Sequence, residues 1–172
     1  MILPITVYGD PVLRKVTANI DLSYQGLPEL IENMFETMYN AEGVGLAAPQ
    51  IGLLIRLFVV DLSPLGKDEP SLVGFRRVFI NAKIIERNGD EELMEEGCLS
   101  IPGIHEEVFR KNHIRIQYLD PEGTAHNEVF TGYTARVLQH EYDHLEGKLF
   151  IDRLPVVKRT IVKNRILKGK NL

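Results

Sequence analysis

The sequence predicts a mixed fold of helices and antiparallel strands, on three observations. Two stretches carry apolar residues at helical spacing, and several short runs rich in branched residues are bounded by turn formers. Two of those runs are joined by a connection with the chemistry of a tight hairpin. At 172 residues the chain, 1–172, fits one domain that can bury a core without disulfide or metal staples.

From Leu27 to Met38, the positions Leu27, Leu30, Ile31, Met34, Phe35 and Met38 follow one helical face, and Pro28 suits a first turn. Met34 and Met38 are core filling. The helix is expected to end near Asn40, because the loop from Gly43 to Gly52 breaks the period with three glycines and Pro49. Gln50 is its one polar side chain. Its small residues either let the chain turn close to the core or let a ligand's backbone approach, with open amides at Val44 and Gly45 and an aimed carboxamide at Gln50. It is no phosphate loop, since no Gly-Lys-Ser/Thr ends it.

Ile55 to Val60 and Val78 to Ile85 have the composition of buried strands, separated by a surface loop from Ser63 to Phe75. Asn88-Gly89-Asp90 has turn chemistry, and the acidic run Glu91 to Glu96 after it is expected on a solvated face. Glu106 to Phe109, Ile114 to Leu119 and Ala125 to Phe130 are expected as antiparallel strands, the last two joined by Asp120-Pro121-Glu122-Gly123. His105, His113 and His126 fall in or beside these strands as ordinary strand or surface residues. A second helix is predicted from Tyr133 to Glu146, with Gly147 placed for its C-terminal cap.

Composition names no function but excludes some. A formal charge of -4 argues against a broad nucleic-acid footprint, which needs a basic surface. No secretory signal opens the chain and no apolar run is long enough to span a bilayer. The single cysteine, Cys98, forms no internal disulfide, so the cytoplasm is the expected compartment. Past Pro155 six lysines and arginines occur with no acid, so the segment from about 156 is expected to pack as a basic helix on the domain or to approach an RNA-rich partner.

Chemistry concentrates in Gln139-His140-Glu141-Tyr142-Asp143-His144. Histidines four apart on a helix share one face and can converge on one metal ion. A carboxylate beside the first ligand can take a proton from an attacking water and pass it on, which is the logic of metal-assisted hydrolysis. A catalytic site of this type needs a third protein ligand. The commonest completion, a histidine six residues after the second, is excluded because Phe150 stands there. Upstream candidates are Cys98, His105, His113, His126 and several acids. Cys98 is favoured, since a thiolate binds Zn(II) or Fe(II) strongly, Gly97 relieves crowding and the Leu99 amide would stand beside the metal.

Three segments, Gly43-Val44-Gly45-Leu46-Ala47-Ala48-Pro49-Gln50, Glu96-Gly97-Cys98-Leu99-Ser100 and Gln139-His140-Glu141-Tyr142-Asp143-His144, resemble in order and spacing the signature motifs of the peptide deformylases. The resemblance spans most of the chain. It implies an α+β fold with antiparallel β-sheets packed around a central helix carrying the His-Glu-x-x-His motif. It implies Cys98, His140 and His144 as metal ligands, Glu141 as the acid/base, and Gln50 with the Leu99 amide as stabilisers of the oxyanion. One divalent metal ion follows, Fe(II) by resemblance, with Zn(II), Ni(II) or Co(II) able to occupy the site. The implied reaction removes the N-formyl group from the formyl-methionine of a nascent polypeptide, releasing formate. Val44 and Gly45 would hold the peptide as an added strand, and Val44 and Leu138 are candidates for the methionine pocket. Contact with the ribosome through the basic C-terminal segment is a further expectation.

One departure concerns the second motif. Many bacterial members carry an arginine near the position of His105 that could pair with the residue matching Glu96, so here His105 is expected as a weaker, pH-dependent partner of Glu96. Two rivals remain at this point: a peptidase of another metal class, and a metal-holding module without turnover.

Overall fold

A computed structural model describes residues 1–170 of the protein; the end of the basic segment, Asn171 and Leu172, lies outside the described residues. The first helix, α1, runs Leu27–Asn40 with Pro28 in its first turn. Three short strands or strand-like runs were expected where two long strands form. The five strands are β1 Gly45–Ala47, β2 Leu57–Asp61, β3 Arg76–Cys98, β4 Ile101–Leu119 and β5 Ala125–Thr131, all antiparallel in the order β1-β2-β3-β4-β5. The second helix, α2, runs Gly132–Leu145, and α3 runs Val156–Lys170.

The strand composition explains where the layers lie. In β2 Phe58 and Val60 face one side and Leu57 and Val59 the other, and every residue of the strand is buried. Phe58 and Val60 pack with Phe79, Ile114 and Ile116 against Ala135, Leu138, Tyr142 and Leu145 of α2. Leu57 and Val59 pack with Val78 and Ile80 against Ile31, Met34, Phe35 and Met38 of α1. A strand covered on both faces reads as a continuous apolar run, which is why Ile55 to Val60 was legible as buried. Each fully buried side chain of this size contributes roughly 1.5–3 kcal/mol.

Two expectations are corrected in β3. Asn88-Gly89-Asp90 is not a turn but part of the strand, where a register shift between Asn88 and Glu91 forms a bulge. Gly89 takes φ +79, and Asn112 on β4 accepts from the Asp90 N–H at 3.0 Å. The acidic run therefore alternates across a ribbon. Glu91 and Glu95 are exposed as expected, but Glu96 turns inward and is buried.

The end of α2 is capped as Gly147 suggested. Its N–H donates to His144 O at 3.2 Å and the next N–H, of Lys148, donates to Asp143 O at 2.9 Å, which is the Schellman pattern. Helix α3 packs through Val162, fully buried, and Ile166 on Ile104, Val108, Leu149, Phe150 and Leu154. Lys158 and Arg165 reach Glu106 at 3.0 and 3.6 Å, so the packing alternative for this segment accounts for its inner face. Among the described residues no helix is long and apolar enough to cross a membrane.

Candidate metal centre and cleft

The upstream cysteine joins the two helix histidines in one cluster that could hold a metal ion. Ligand atoms of Cys98, His140 and His144 all lie within 4.8 Å of one another, with Cys98 Sγ 3.4 Å from His144 Nε2. His140 and His144 are one turn apart on α2, their ring centroids separated by 5.4 Å. Cys98 is the last residue of β3, and a register shift between Gly97 and Cys98 re-aims it toward the helix. His105, His113 and His126 stay out of this cluster, as expected of strand residues: His113 pairs across β4 and β5 with Thr131, and His126 meets Asp120 at 2.8 Å. Phe150, whose presence removed the usual downstream ligand, stacks on the His140 ring with centroids 5.8 Å apart.

A buried charge network holds these ligands. Glu96 Oε1 accepts from His140 Nδ1 at 2.9 Å, which leaves Nε2 of that ring free of this bond. The same carboxylate accepts from Arg110 Nε and Nη2 at 2.5 and 2.9 Å and from Arg136 Nη1 at 2.6 Å. Arg110 Nη1 continues to Asp143 at 2.9 Å, and Asp143 also accepts two bonds from Arg153 at 2.8 Å. Burial pushes the Glu96 carboxyl up, but the His140 hydrogen bond and Arg110 outweigh it and hold it well below the usual carboxylate range.

The expectation that His105 partners Glu96 is therefore wrong. Residues alternate across the ribbon, so His105 opposes Gly97 on the outer face while Glu96, Arg110 and Val108 face α2. Arg110, Arg136, Asp143 and Arg153 were missed by reasoning from sequence. A signal existed for Arg136, a charge inside the apolar run Ala135, Val137, Leu138, and for Asp143, which sits inside the helix motif. Arg110 continues the inward alternation of Ile104 and Val108, where a buried arginine requires a buried acid.

Glu141 is 4% exposed, and among the described residues its Oε1 and His144 Nδ1 are the buried side-chain polar atoms without a partner. Burial raises the Glu141 carboxyl above its ordinary value, opposed by His140 and His144 and reinforced by Cys98 and Glu96. Burial also pushes the Cys98 thiol up, but the two histidines bring it down to about 5, so the thiolate form suited to a cation prevails. A thiolate, two imidazoles and an unpartnered carboxylate fit a divalent metal ion.

The glycine loop approaches this centre closely. A Cβ on Gly45 would stand 2.6 Å from Glu141 Oε2, and one on Gly43 would stand 2.8 Å from Leu99 Cδ1. The close packing of Glu141 thus leaves no room for a side chain at Gly45, whereas at Gly43 the tip of Leu99 would have to move. Gln50 is 1% exposed; its Oε1 accepts from Ala47 N–H at 2.9 Å, and Nε2 donates to Ser100 Oγ at 3.1 Å and toward Cys98 Sγ at 3.6 Å. Leu99 occupies the turn between β3 and β4. The Val44 carbonyl accepts from Asp61 N–H at 2.9 Å and is committed to β2. The Ala47 N–H faces Gln50 instead, so by strand alternation the Gly45 backbone opens on the sheet edge. A cleft of about 450 Å³ is lined here by Val44, Gly45, Gln50, Leu99, Val137 and Glu141. Leu138 is fully buried between α2 and the sheet, so Val137, one residue earlier, takes the place expected for it.

A helix bearing two histidines and a carboxylate, joined by a cysteine on a preceding strand in a cluster that could hold a metal ion, is an arrangement suited to a metal-dependent hydrolase. Comparison with known proteins narrows this class. The family model for polypeptide deformylase matches residues 2–160. A peptide deformylase of Christiangramia forsetii is 51% identical over 180 aligned positions, covering 99% of this chain and 92% of that protein. Among solved structures, peptide deformylase from Thermus thermophilus is 44% identical with a TM-score of 0.85, over 98% of this chain and 97% of that one. Peptide deformylase from Legionella pneumophila is 38% identical with a TM-score of 0.86, over 99% and 96%. The chain belongs to the peptide deformylase family, and its activity is the metal-dependent hydrolytic removal of the N-formyl group from newly synthesised polypeptides.

Proposed function

We propose that Cys98, His140 and His144 hold the single catalytic metal ion, that Glu141 is the acid/base, that Gln50 and the Leu99 amide stabilise the oxyanion, and that Val44 and Gly45 bind the substrate peptide. The observation that carries this reading is the convergence of the three ligand atoms beside a buried, unpartnered carboxylate oxygen. When bound, the metal supplies Lewis acidity that lowers the pKa of a coordinated water and polarises the formyl group. Cysteine with two histidines suits Zn(II) on ligand chemistry, whereas the family resemblance assigns Fe(II) in the cell, with Zn(II), Ni(II) or Co(II) as substitutes.

Each residue then has a task. Glu141 accepts a proton from the attacking water, whose oxygen forms a bond to the formyl carbon. Its raised pKa suits a base that must hold this proton briefly. Charge on the formyl oxygen is met by the Gln50 Nε2–H, already oriented by the bond to Ala47, and by the Leu99 N–H. As the carbon–nitrogen bond breaks, Glu141 returns the proton to the departing amine, leaving formate and a free N-terminus. The Gly45 backbone pairs with the extended peptide at the edge of β1, while the Val44 and Val137 side chains contact the methionine.

The working place is the cytoplasm, and the cations of α3 not tied to the domain, among them half-exposed Lys163 and exposed Lys168, make a salt-sensitive contact with the ribosome. Anaerobic protein loaded with Fe(II) is expected to release formate from formyl-Met-Ala-Ser. Glu141→Ala should keep its metal, measured on the same sample, and lose turnover by about a thousandfold. Formate release by the variant at the wild-type rate would remove Glu141 from its role. Cleavage of blocked internal peptides without formate would favour the other metallopeptidase class.

A further inference from the structure

The outer face of the β3–β4 ribbon begins at the cleft and carries an arrangement that the fold does not need. Successive cross-strand pairs on this face are Gly97 with His105, Glu95 with Glu107, Leu93 with Phe109 and Glu91 with Lys111. Glu95 and His105 line the cleft itself, and the His105 ring lies over Gly97, with Nδ1 2.6 Å from where a Cβ would be. The face is thus continuous with the cleft wall that carries the unpartnered Glu141 oxygen.

Two features of this face lack a counterpart in the free protein. Like charges directly opposite one another on neighbouring strands destabilise a sheet, and Glu95 and Glu107 are such a pair. Both are exposed, and among the described residues neither side chain has an ion-pair or hydrogen-bond partner. The nearby cations are committed elsewhere: Arg110 and Arg136 to Glu96, and Lys158 and Arg165 to Glu106. Next along the face, Leu93 is 48% and Phe109 57% exposed, side by side.

We infer that this face is an extended substrate track that selects formylated polypeptides with a cationic residue near the fourth position, followed by an apolar residue near the sixth. The inference rests on the proposed reading of the cleft as the formyl-methionine site. Strand geometry sets the positions: Glu95 lies three residues and Leu93 five residues from Cys98, about 10 and 17 Å along the strand, and an extended peptide advances by the same rise. A lysine or arginine of the substrate between Glu95 and Glu107 relieves their repulsion, and an apolar side chain two residues on covers Leu93 and Phe109. The occupant is the nascent chain itself because the track starts where its first residue is held.

The test uses the metal-loaded protein and four peptides: formyl-Met-Ala-Ser, formyl-Met-Ala-Ser-Lys-Ser-Leu-Ser, and the same heptapeptide with Glu for Lys or with Ser for Leu. The Lys peptide is expected to have a kcat/KM about fivefold above the Glu peptide, the scale of one exposed ion pair, and this ratio should shrink in high salt. In Glu107→Gln the Lys/Glu ratio should fall toward one, and in Phe109→Ser the Leu/Ser ratio should do the same. Each ratio is taken within one protein, so a general loss of activity or folding cancels. Equal rates for all heptapeptides in the wild-type protein would overturn the track while leaving the cleft reading intact. No formate from any peptide, the tripeptide included, would overturn the cleft reading. If instead the two substitutions change the sedimentation of the protein alone and leave the ratios unchanged, the face joins copies of the chain and the track is wrong.

Discussion

At the scale of single residues, the cleft depends on what is missing from Gly45 as much as on what Glu141 carries. The Glu141 carboxylate lies where a Cβ on Gly45 would be, and it lacks a hydrogen-bond partner at Oε1, so little except packing fixes it. Gly45→Ala should therefore displace the carboxylate without disturbing the core below. A shift of about 1 Å in a catalytic group costs on the order of a hundredfold in rate. Formate release is expected to fall by that amount while the thermal melting temperature changes little. A variant with full activity would mean that Glu141 has another resting place of equal quality. The same reasoning explains why the glycine loop was ambiguous in sequence: a glycine that admits a ligand and a glycine that admits the protein's own side chain look alike in one dimension.

At the scale of elements, α2 is positioned by its C-terminal cap, and the cap is one residue. Gly147 has φ +72, and a Cβ there would meet Arg14 O at 2.6 Å. Gly147→Ala combines left-handed backbone strain with a backbone clash, so a loss of about 2 kcal/mol is expected in urea denaturation. An unchanged midpoint would show that the helix can end without that conformation. This cap was legible because helix ends carry local chemistry, as were the α1 face and the Cys98, His140 and His144 set, each carried by a period or a motif. The β3–β4 ribbon was not legible. Asn88-Gly89-Asp90 has the composition of a turn, and only Asn112, remote in sequence, turns it into a bulge within a long strand. The burial of Glu96 was hidden for the same reason: it looks like one acid among several until Arg110 and Arg136 arrive from β4 and α2. Local pattern reports period and caps, whereas the pairing of charges across long loops belongs to the tertiary fold.

At the scale of the whole molecule, one buried network ties β3, β4, α2 and the turn bearing Arg153 to the cluster of Cys98, His140 and His144. Burial pushes both the Glu96 and Asp143 carboxyls up, and their arginine and histidine partners more than reverse this. Groups with folded pKa values below their unfolded values stabilise the fold above the ordinary carboxylate range, and that contribution disappears as pH falls through the folded values. Stability measured by denaturant should thus be flat near neutrality and fall below about pH 4, and Glu96→Gln should flatten that acid limb. Held as proposed, the metal would add a second link between the same elements, since Cys98 ends β3 while His140 and His144 ride on α2. Three such groups from two elements come together only in the folded chain, so an ion held by them would stabilise the native state by mass action. At a free concentration a hundredfold above its dissociation constant the gain is about 2.7 kcal/mol. Removing the metal with a chelator should therefore abolish formate release and lower the melting temperature, and adding Fe(II) without oxygen should restore both. If melting stays unchanged when metal analysis shows the ion gone, the charge network alone holds β3 against α2, and the ion serves chemistry only.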